Sequence, residues 1–548
     1  MTITAHPHVN VEEFFKKAQS VGSSNNLLAE QVIETALKKG VREFCLAAAS
    51  RNASLVYALA NTPEIKTYYW SEERAAAFFA LGRAKSTQRP VAVVVTSGSA
   101  AAELLPAAMV AHYSGIPLLL ITADRPRRYR GVGAPQSAEQ VGLFTYYVQY
   151  QQDISSGEKC CLDKWKVTSP AHLNVCLEEP SDAEAKSCRV SQPDSAHFQP
   201  ASFSLSAQTK KDFLEFLTSI QYPLVVIGDL LPAQRNLAVD FLVRLGAPVY
   251  AEGFSGIRER KELEHLRISS IDRIWERARN HDYPIDSIIR IGSIPTARLW
   301  RDLEDKEGQI AIFSVSELPF SGLSWHESHQ ANLGEFFMWA KQQSLKEFDF
   351  DRWIQADREL QAKLQLLYQQ EPLAETSLIH QLSQRLSHGS QVFLGNSLPV
   401  REWDSSATWN WRNYHVQAVR GVNGIDGQLA TFLGLCEAKQ SNWAIVGDLT
   451  ALYDLVAPWI LEQMPAIQAN IVIVNNGGGQ IFASMYSHQA FLNSHHLRFK
   501  PLAEMWGWEY LCWHQIPEKI PESHGGRIIE LLPDPDASVR FKQQTRVL

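Results

Sequence analysis

Short apolar runs alternate with longer segments of helical character along most of the chain, and this alternation predicts βαβ units. The first set of runs extends from Val41 to about Cys176. A second set begins at Pro223, and a third begins near Ser377 and continues to about Pro533. A chain of 548 residues is too long for one hydrophobic core, so three α/β units of similar size are expected.

The apolar runs predict strands in each unit. In the first unit the predicted strands lie in VREFCLAAAS, KTYYW, PVAVVVTSGSA, IPLLLITADRP and AHLNVCLEEP. In the second they lie in PLVVIGDL, APVYAEGFSG and SIIRIGS, and in the third in QVFLGNS, VQAVRG, WAIVGD and NIVIVNN.

The predicted fold class is α/β, with three doubly wound parallel-sheet domains at residues 25–185, 205–345 and 372–548. A polar, Ser-rich stretch with prolines, from about Asp182 to Gln208, predicts a linker between the first two domains. The charged segment 345–370 predicts a helical connector before the third domain.

Two strands of the third unit place polar groups at their carboxyl ends. Gly447 and Asp448 follow the run WAIV at the start of a predicted amphipathic helix, and Asn476 and three glycines follow NIVIVN. Because the carboxyl ends of parallel strands lie on one edge of a sheet, Asp448 and Asn476 are expected to be neighbours. A carboxylate, an amide oxygen and a free carbonyl suit Mg²⁺, and the helix start favours phosphate. The pattern predicts a metal–diphosphate site.

Each of these polar groups also has an ordinary structural interpretation. Asp448 alone is explained as a helix N-cap, and the glycines as turn residues. Glu73 stands at another strand-to-helix junction, where a carboxylate stabilises a helix N-terminus, and Glu72 beside it could serve the same purpose.

Composition and charge exclude several other classes. The hydrophobic content of 45% and charged content of 20% are ordinary for a globular protein. The formal net charge of −7 gives no support for nucleic-acid binding. Seven cysteines without a dense framework indicate a reducing compartment. Neither an apolar signal core nor a run of about 18 apolar residues is present, so a soluble, cytoplasmic protein without a membrane span is expected.

The frame that begins with Gly447–Asp448 and ends with Asn475–Asn476 resembles the signature of thiamine-diphosphate-dependent enzymes. Other segments extend the resemblance over nearly the whole chain: SRNASL, EERAAAFFALG, VTSGSAAAELLPA, ITADRP, HLNV, GNSLPVREWD, RGVNGIDG, GDLTALYDL and NNGGGQIF. Within that superfamily the chain is similar to the 2-succinyl-5-enolpyruvyl-6-hydroxy-3-cyclohexene-1-carboxylate synthase family. The resemblance implies pyrimidine-binding, central and diphosphate-binding domains in that order.

The resemblance implies a transferase of menaquinone biosynthesis with thiamine diphosphate and Mg²⁺ (or Mn²⁺) as cofactors. Such an enzyme decarboxylates 2-oxoglutarate and adds the resulting succinyl-semialdehyde carbanion to isochorismate in a 1,4 sense. Glu73 would be the carboxylate on the pyrimidine ring, and Ile425 would hold the cofactor in its bent conformation. The implied cofactor-binding residues are Gly447, Asp448, Leu449, Gly424, Asn396, Gln480, Ile481 and Phe482, and the implied metal ligands are Asp448, Asn476 and the Gly478 carbonyl.

Substrates with several carboxylates require several cations, and arginines bind carboxylates through two hydrogen bonds. Arginines follow four of the strand-end motifs, which predicts the substrate side of the site. The predicted substrate-binding residues are Ser50, Arg51, Arg125, Gln136, Arg298, Ser397, Arg401 and Arg420. At Arg298 the family usually has a lysine, so the charge is kept while the geometry changes.

The chain departs from the family pattern at three further places. Gly477 stands where Asn can occur, and this change is expected to be tolerated in a loop that uses its backbone. Ala48 and Ala49 stand where relatives usually have Pro-Gly, which could alter the turn that presents Ser50 and Arg51. Pro135 stands where an amide residue is familiar, which removes one possible hydrogen bond.

Two other functions stay open from the sequence. One is a different thiamine-dependent 2-oxo acid decarboxylase or carboligase that acts on pyruvate-like substrates, although a small monocarboxylate needs fewer arginines. The other is a non-catalytic α/β binding protein, against which the retention of Glu73, Asp448 and Asn476 together argues. A nicotinamide-binding protein is disfavoured because no GxGxxG follows a strand.

The resemblance also implies how the protein assembles. In the superfamily the two ends of the cofactor are held by the first and third units of different chains. A homo-oligomer, either a dimer or a dimer of dimers, is therefore expected.

Overall fold

The structure is a computed structural model that describes residues 11–190, 203–269, 273–343, 347–486 and 488–548. Its described strands form three sheets, and every strand pair is parallel. The predicted α/β fold class, with three parallel sheets flanked by helices, is confirmed. No helix of the described residues has an apolar stretch long enough to cross a membrane.

The first sheet has six strands in the order β2-β1-β3-β4-β6-β5. Its strands and helices are α1 Val11–Lys38, β1 Glu43–Ala47, α2 Ala53–Ala60, β2 Lys66–Trp70, α3 Glu73–Thr87, β3 Val91–Val95, α4 Ser99–Ala102, α5 Leu105–Ser114, β4 Leu118–Asp124, β5 Tyr150–Ser155, β6 Ala171–Cys176 and α6 Asp182–Ala185. The central strands β3, β4 and β6 are buried along their whole length. Helices on both faces explain this burial and the apolar character of these strands.

The second sheet has five strands in the order β11-β10-β9-β7-β8. Its strands and helices are α7 Ala207–Ser219, β7 Pro223–Ile227, α8 Pro232–Leu245, β8 Val249–Ala251, α9 Ile274–Asn280, β9 Ser287–Ile291, α10 Arg298–Asp302, β10 Ala311–Ser316, β11 His329–Gln330, α11 Leu333–Ala340 and α12 Asp351–Gln370. The predicted connector is the helix α12, whose Trp353 and Ile354 pack in the core of the second sheet.

The third sheet has six strands in the order β13-β12-β14-β15-β17-β16. Its strands and helices are α13 Glu375–Arg385, β12 Gln391–Leu394, α14 Leu398–Ser406, β13 His415–Gln417, α15 Gln428–Leu435, β14 Ser441–Gly447, α16 Asp448–Tyr453, β15 Gln468–Val474, α17 Lys500–Met505, β16 Glu509–Trp513, β17 Gly526–Leu531 and α18 Pro535–Thr545. Strands β14 and β15 are adjacent, and Gly447 pairs with Val474 at their carboxyl ends.

The apolar runs predicted twelve of the 17 described strands, among them the fully buried β3, β4 and β6, and missed five others. Three of the missed strands, β5, β11 and β16, are half-exposed edge strands with polar residues. The other two, β10 and β17, lie inside their sheets but contain polar residues. In β17 the buried Arg527 pairs with Glu509 on the neighbouring strand, so a polar strand is accommodated in the interior.

The predicted amphipathic helix after Gly447 is shorter than expected. Helix α16 ends at Tyr453, and the following segment Ala457–Gln463 forms a 3₁₀-helix. Pro458 stands at the start of this segment, where proline is compatible with a new helix but would disrupt a continuous one.

The described chain divides into two compact units. One unit contains the first sheet together with Ala430–Leu435 and Val456–Met464, and the other contains the second and third sheets. Within the first unit, a Cβ atom at Gly82 would lie 2.2 Å from the Thr431 carbonyl, so glycine permits the close packing of α3 on this segment. The three predicted domain ranges remain predictions. Residues 191–202 of the predicted linker lie outside the part of the chain that the structure describes.

Candidate functional site

The carboxyl ends of β14 and β15 bring the two motifs of the predicted metal site into contact. The backbone N–H groups of Gly477 and Gly478 each donate to Oδ2 of Asp448 at 2.9 Å. Oδ1 of the same carboxylate accepts from the Leu449 N–H at 2.6 Å. Residues that are about 30 positions apart therefore form one cluster at the sheet edge, because the strands before them are parallel neighbours.

The charge of Asp448 has no lysine or arginine partner in the described part of the chain. The side chain is 2% exposed, and burial raises the pKa of its carboxyl. The nearest basic group is the His495 ring, whose Nε2 lies 3.3 Å from Oδ2. A buried carboxylate without a cation is costly, so this position fits a bound divalent metal ion.

The other two predicted ligands also fit a hard cation. Oδ1 of Asn476 is buried and has no hydrogen-bond partner among the described residues. The Gly478 carbonyl accepts from the Gln480 N–H at 2.9 Å and retains a second lone pair. Gly478 has φ of 132°, and a Cβ atom there would lie 2.3 Å from the Leu492 carbonyl, so only glycine fits. The residues after it, Gln480–Phe482, form a 3₁₀ turn.

The loop with Gly424 and Ile425 is fastened at both ends. Nδ2 of Asn396 donates to the Gly424 carbonyl at 2.6 Å. On the other side, Asp454 accepts from the Gly427 N–H at 2.9 Å. Ile425 lies between these two attachments and is half-buried. Asp454, which the sequence did not single out as a site residue, therefore connects the segment GDLTALYDL to RGVNGIDG.

Four of the predicted polar residues cluster at the end of β12. Arg420 donates to Oδ1 of Asn396, and Arg401 donates to the Ser397 carbonyl at 2.6 Å. Burial and the nearby Arg401 lower the pKa of Arg420 to about 10. Ser397 has φ of 75°, an unfavourable conformation for a residue with a side chain. Such strain is typical of functional sites.

Arg298 does not join this cluster. Its side chain is 75% exposed and pairs with Asp302 one helical turn away, at 3.3 Å. Instead Thr296, two residues earlier, accepts from Nε of Arg420 at 3.0 Å. The segment around Arg298 thus contacts the third-sheet cluster through a residue that the sequence analysis did not name.

Glu252 is a second residue that sequence reasoning missed. It is 1% exposed, one oxygen accepts from the Thr296 N–H, and the other has no partner among the described residues. Burial, assisted by the nearby Asp404 charge, raises the pKa of Glu252 to about 8. Glu252 directly follows β8, and this position could have marked it as a candidate, because ligand-binding sites form at the carboxyl ends of parallel strands.

Replacing Glu252 by glutamine is expected to stabilise the protein at alkaline pH. The usual glutamate pKa is near 4.5, so between 4.5 and about 8 the folded protein keeps a proton that the unfolded chain releases. Stability therefore falls as pH rises through this range, by ~5 kcal/mol at full ionisation. Thermal unfolding of both proteins at pH 5 and pH 9 measures the difference, which should appear mainly at pH 9.

The exposed Glu262, which pairs with Arg260, provides a control. Glu262→Gln should give no gain at alkaline pH, because this carboxylate is ionised and paired in the folded protein. Equal unfolding midpoints for Glu252→Gln and the unaltered protein at pH 9 would contradict the buried, protonated state of Glu252.

In the first sheet, the structure separates the roles of the two adjacent glutamates. Glu72 is the N-cap of α3, and its carboxylate accepts from the N–H groups of Arg74 and Ala75 at 3.1 and 2.7 Å. The Glu73 carboxyl is half-buried, and burial together with the charges of Glu72 and Glu103 raises its pKa. Capping of the helix N-terminus was the alternative interpretation of Glu73, and Glu72 performs it instead.

Arg51 and Arg125 lie together at the ends of β1 and β4. Arg51 is 6% exposed and donates to Oε2 of Glu179 at 2.7 Å. The Arg125 guanidinium lies 4.0 Å from the same oxygen. The exposed Glu179 carboxylate thus occupies the position between two guanidinium groups where a substrate carboxylate could bind. Ser50, directly before Arg51, is exposed.

The two departures from the family pattern in this region are accommodated. Ala49 has φ of −152° and ψ of 179°, an extended conformation that does not need glycine. The turn is closed by Asn52, whose side chain bonds the Ala49 N–H at 2.8 Å and the Ala47 carbonyl at 2.9 Å. Pro135 retains its carbonyl, which accepts from Nε of Arg125 at 2.8 Å.

Gln136 has an exposed side chain, and its backbone carbonyl accepts from the Ser97 hydroxyl at 2.7 Å. The glutamine that is anchored at the strand ends is Gln140, which is buried. Its Oε1 accepts from the Gly98 N–H at 2.8 Å, and its Nε2 donates to Asn174 at 2.8 Å. Gln140 was not predicted, because the sequence gives no sign of which glutamine in this loop turns inward.

Replacing Glu179 by glutamine is expected to lower the KM for a substrate that carries a carboxylate by about 2- to 5-fold, which corresponds to the free energy of an exposed ion pair. The reason is that Glu179 competes with a substrate carboxylate for Arg51 and Arg125. Initial rates at varied substrate concentration measure this change. Glu178→Gln, at the neighbouring carboxylate that pairs with Arg128, is the control and should leave KM unchanged. A higher KM in Glu179→Gln would mean that Glu179 orients the arginines instead.

A cluster of two aspartates and a cysteine in the first sheet has the spacing of a metal site but not its chemistry. Asp124, Asp153 and Cys176 place their ligand atoms within 4.8 Å of one another. Arg130 donates to Asp153 at 2.6 Å and to Asp124 at 3.2 Å, and Asn174 donates to both carboxylates. These hydrogen bonds already compensate the two charges, so the group is an ion-pair network.

Arg258 is a buried arginine that contacts the end of α14. It is 1% exposed, and its guanidinium donates to the carbonyls of Asp404, Ala407 and Thr408 at 3.1–3.2 Å. The guanidinium carbon also lies 3.4 Å from the centre of the Trp409 ring. Arg258 therefore stabilises the carboxyl end of α14 from the second sheet.

Comparisons with known proteins agree with this geometry. A family model described as the thiamine pyrophosphate enzyme, N-terminal TPP binding domain, matches residues 27–143. A 2-succinyl-5-enolpyruvyl-6-hydroxy-3-cyclohexene-1-carboxylate synthase from Bdellovibrio bacteriovorus is 42% identical over 536 residues, covering 96% of this chain and 99% of the relative. Synthases of the same name from Akkermansia muciniphila and a Roseiflexus species are 34% and 29% identical, over 92% and 94% of this chain and 95% and 96% of the relatives.

Proposed function

Because the chain belongs to the 2-succinyl-5-enolpyruvyl-6-hydroxy-3-cyclohexene-1-carboxylate synthase family, we infer that it catalyses the reaction of that family. The reaction is decarboxylation of 2-oxoglutarate with thiamine diphosphate, followed by 1,4-addition of the four-carbon fragment to isochorismate, a step of menaquinone biosynthesis. The observation that carries this assignment is 42% identity over nearly the full length of both chains.

Thiamine diphosphate supplies the electron sink for the decarboxylation, and the protein supplies binding, orientation and charge. We propose that Asp448, Asn476 and the Gly478 carbonyl hold the divalent metal ion, Mg²⁺ or Mn²⁺, that binds the diphosphate. Two observations support this proposal: the Asp448 carboxylate has no lysine or arginine partner among the described residues, and Oδ1 of Asn476 has no hydrogen-bond partner there. Gly424, Leu449, Gly447 and the segment Gln480–Phe482 are proposed to line the cofactor.

Glu73 is proposed to hold a proton at the pyrimidine nitrogen of the cofactor. Burial, assisted by the charges of Glu72 and Glu103, raises the pKa of the Glu73 carboxyl, which favours the protonated form more than in an ordinary glutamate. The capping of α3 by Glu72 supports this role, since it leaves Glu73 without a helix-capping function. Ile425 is proposed to support the bent conformation of the cofactor from its fastened loop.

The substrate carboxylates are proposed to bind two sets of cations. Arg51 and Arg125 form one set with Ser50 and Gln136 nearby in sequence, and Arg401 and Arg420 form the other with Ser397. Arg298 is kept as a peripheral candidate because its side chain is exposed. Two arginine sets match two dicarboxylic small molecules better than one small monocarboxylate.

The proposed assembly is a homo-oligomer in which different copies supply the two ends of the cofactor site, as in other thiamine-diphosphate enzymes. Light scattering after gel filtration tests it. A dimer or tetramer is expected, and a strictly monomeric protein with full activity would refute this part of the proposal.

The proposed reaction is tested with the purified protein, thiamine diphosphate and Mg²⁺. Addition of 2-oxoglutarate and isochorismate should release CO₂ and consume isochorismate in equal amounts. Pyruvate in place of 2-oxoglutarate should give little turnover. Turnover of pyruvate with no reaction of 2-oxoglutarate would overturn the substrate assignment and favour a different carboligase of the same superfamily.

A further inference from the structure

Each asparagine of the Asn475–Asn476 pair bonds to a different buried glutamate. Nδ2 of Asn475 donates to Oε1 of Glu530 at 2.8 Å and to the Leu497 carbonyl at 2.9 Å. Glu530 is fully buried and also accepts from the Tyr510 hydroxyl at 2.6 Å. Both hydrogens of the Asn475 amide are therefore used to join β15 to its surroundings.

Asn476 is bonded differently. Its Nδ2 donates to the two carboxylate oxygens of Glu375 at 3.1 and 3.0 Å. One carboxylate is therefore the acceptor for this amide nitrogen. The opposite end of the same amide, Oδ1, is buried and has no hydrogen-bond partner in the described part of the chain. A buried carbonyl oxygen without a donor is costly unless a ligand compensates it.

The chemistry of a carboxylate determines which way this amide points. An ionised carboxylate only accepts hydrogen bonds, so it must face the NH₂ end of Asn476, and the reversed amide would place oxygen against oxygen. A glutamine at the same place offers both a donor and an acceptor, and would accept either orientation of the amide. Glutamate therefore selects the orientation in which Oδ1 faces away from position 375.

Glu375 is itself rigidly placed. It is the first residue of α13, is 3% exposed, and donates its N–H to the Ser538 hydroxyl at 3.0 Å. The buried Glu402 carboxyl accepts from the Thr376 hydroxyl at 3.3 Å, and burial together with the nearby Glu375 charge raises the pKa of Glu402 well above its usual range. Burying a carboxylate next to another is unfavourable for stability, which argues for a role beyond packing.

We propose that Glu375 is a positioning residue that fixes the Asn476 amide so that Oδ1 is presented to the divalent metal ion. This inference rests on the proposed function, in which Asn476 is a metal ligand. Outer groups that orient metal ligands typically contribute 10- to 100-fold to metal affinity. Glu375 touches neither the substrate nor the cofactor in this role.

The proposal is tested by titrating Mn²⁺ into the full chain in the presence of thiamine diphosphate. The electron paramagnetic resonance signal of free Mn²⁺ measures how much of the ion is bound. Glu375→Gln should weaken Mn²⁺ binding by ~10- to 100-fold. Glu371→Gln, the same change at a glutamate that pairs with Arg540, is the matched control and should bind Mn²⁺ normally. Circular dichroism of each variant reports whether the fold is retained.

The same Glu375→Gln change made in a second variant protein distinguishes positioning of the Asn476 amide from a general structural effect. An aspartate has no amide to orient, so in the Asn476→Asp background the Glu375→Gln change should no longer weaken Mn²⁺ binding. Equal weakening in both backgrounds would overturn the proposal. If Glu375→Gln does not fold, Glu375→Asp keeps an acceptor-only carboxylate and should lose no more than about 10-fold in Mn²⁺ affinity. A greater loss in folded Glu375→Asp would refute the orientation argument.

The outcomes also distinguish this inference from the proposed function. If the unaltered protein binds no Mn²⁺ with thiamine diphosphate, the proposed metal site is wrong and the inference is overturned with it. If the unaltered protein and Glu375→Gln bind Mn²⁺ equally, only the role of Glu375 is wrong.

Discussion

Replacement of Glu73 by glutamine is expected to reduce kcat by ~10²- to 10⁴-fold, the range for loss of a general acid–base group. Thiamine diphosphate should still bind, because the proposed metal–diphosphate anchor is formed by other residues. The expected cause is slower proton exchange at the thiazolium carbon, since glutamine cannot share a proton with the pyrimidine nitrogen. The rate at which that proton exchanges for deuterium measures this step directly. Samples are quenched with acid at set times, and the remaining proton is quantified by NMR.

The neighbouring glutamate gives a matched control for this experiment. Glu72→Gln makes the same chemical change one residue earlier, at the side chain that caps α3. It is expected to lower the unfolding temperature through a weaker cap while the thiazolium carbon still exchanges rapidly. Unchanged exchange in Glu73→Gln, or slow exchange only in Glu72→Gln, would show that the two roles have been assigned to the wrong residues.

Replacement of Asp448 by asparagine is expected to weaken Mg²⁺ binding by at least ~100-fold, because it removes the one charged residue of the proposed ligand set. This effect exceeds the ~10- to 100-fold expected when a group that only orients a ligand is lost. Without the metal ion, the diphosphate of the cofactor loses its principal anchor. The variant should therefore release thiamine diphosphate during gel filtration at micromolar Mg²⁺. Isothermal titration of Mg²⁺ into the protein with cofactor, and thiamine fluorescence of the eluted fractions, are the two measurements.

Asp454→Asn is the control for the Asp448 variant. Asp454 lies six residues further along the chain and bonds the loop of Ile425 instead of the metal edge. Its replacement should leave Mg²⁺ affinity within a few-fold of the unaltered protein. Retention of cofactor by Asp448→Asn at low Mg²⁺ would mean that another group anchors the diphosphate.

The sequence predicted the parts of this molecule that depend on local patterns. Continuous apolar runs located the buried strands, and the residue directly after such a strand was predicted to lie at a sheet edge. For Asp448 and Asn476 this was enough to expect proximity, because β14 and β15 are parallel neighbours. Edge strands such as β16 were missed because one side is exposed and the apolar pattern is weak there.

Contacts between distant polar residues could not be predicted in the same way. Glu252 contacts Thr296, which in turn bonds Arg420 from another sheet, and no local pattern connects positions so far apart. The choice between Glu72 and Glu73 is similar, because adjacent carboxylates differ only in the direction of their side chains. Arg298 illustrates the reverse case, since its motif suggested a site but its side chain is exposed.

The most direct test of the function uses 2-oxoglutarate that is isotopically labelled at its keto carbon, together with isochorismate, thiamine diphosphate and Mg²⁺. The label should appear in a single product that also contains the isochorismate ring, with one CO₂ released for each product molecule. Mass spectrometry and NMR of the product identify the new carbon–carbon bond. Release of the label as a free four-carbon aldehyde, with isochorismate unconsumed, would contradict the assignment as a carboligase.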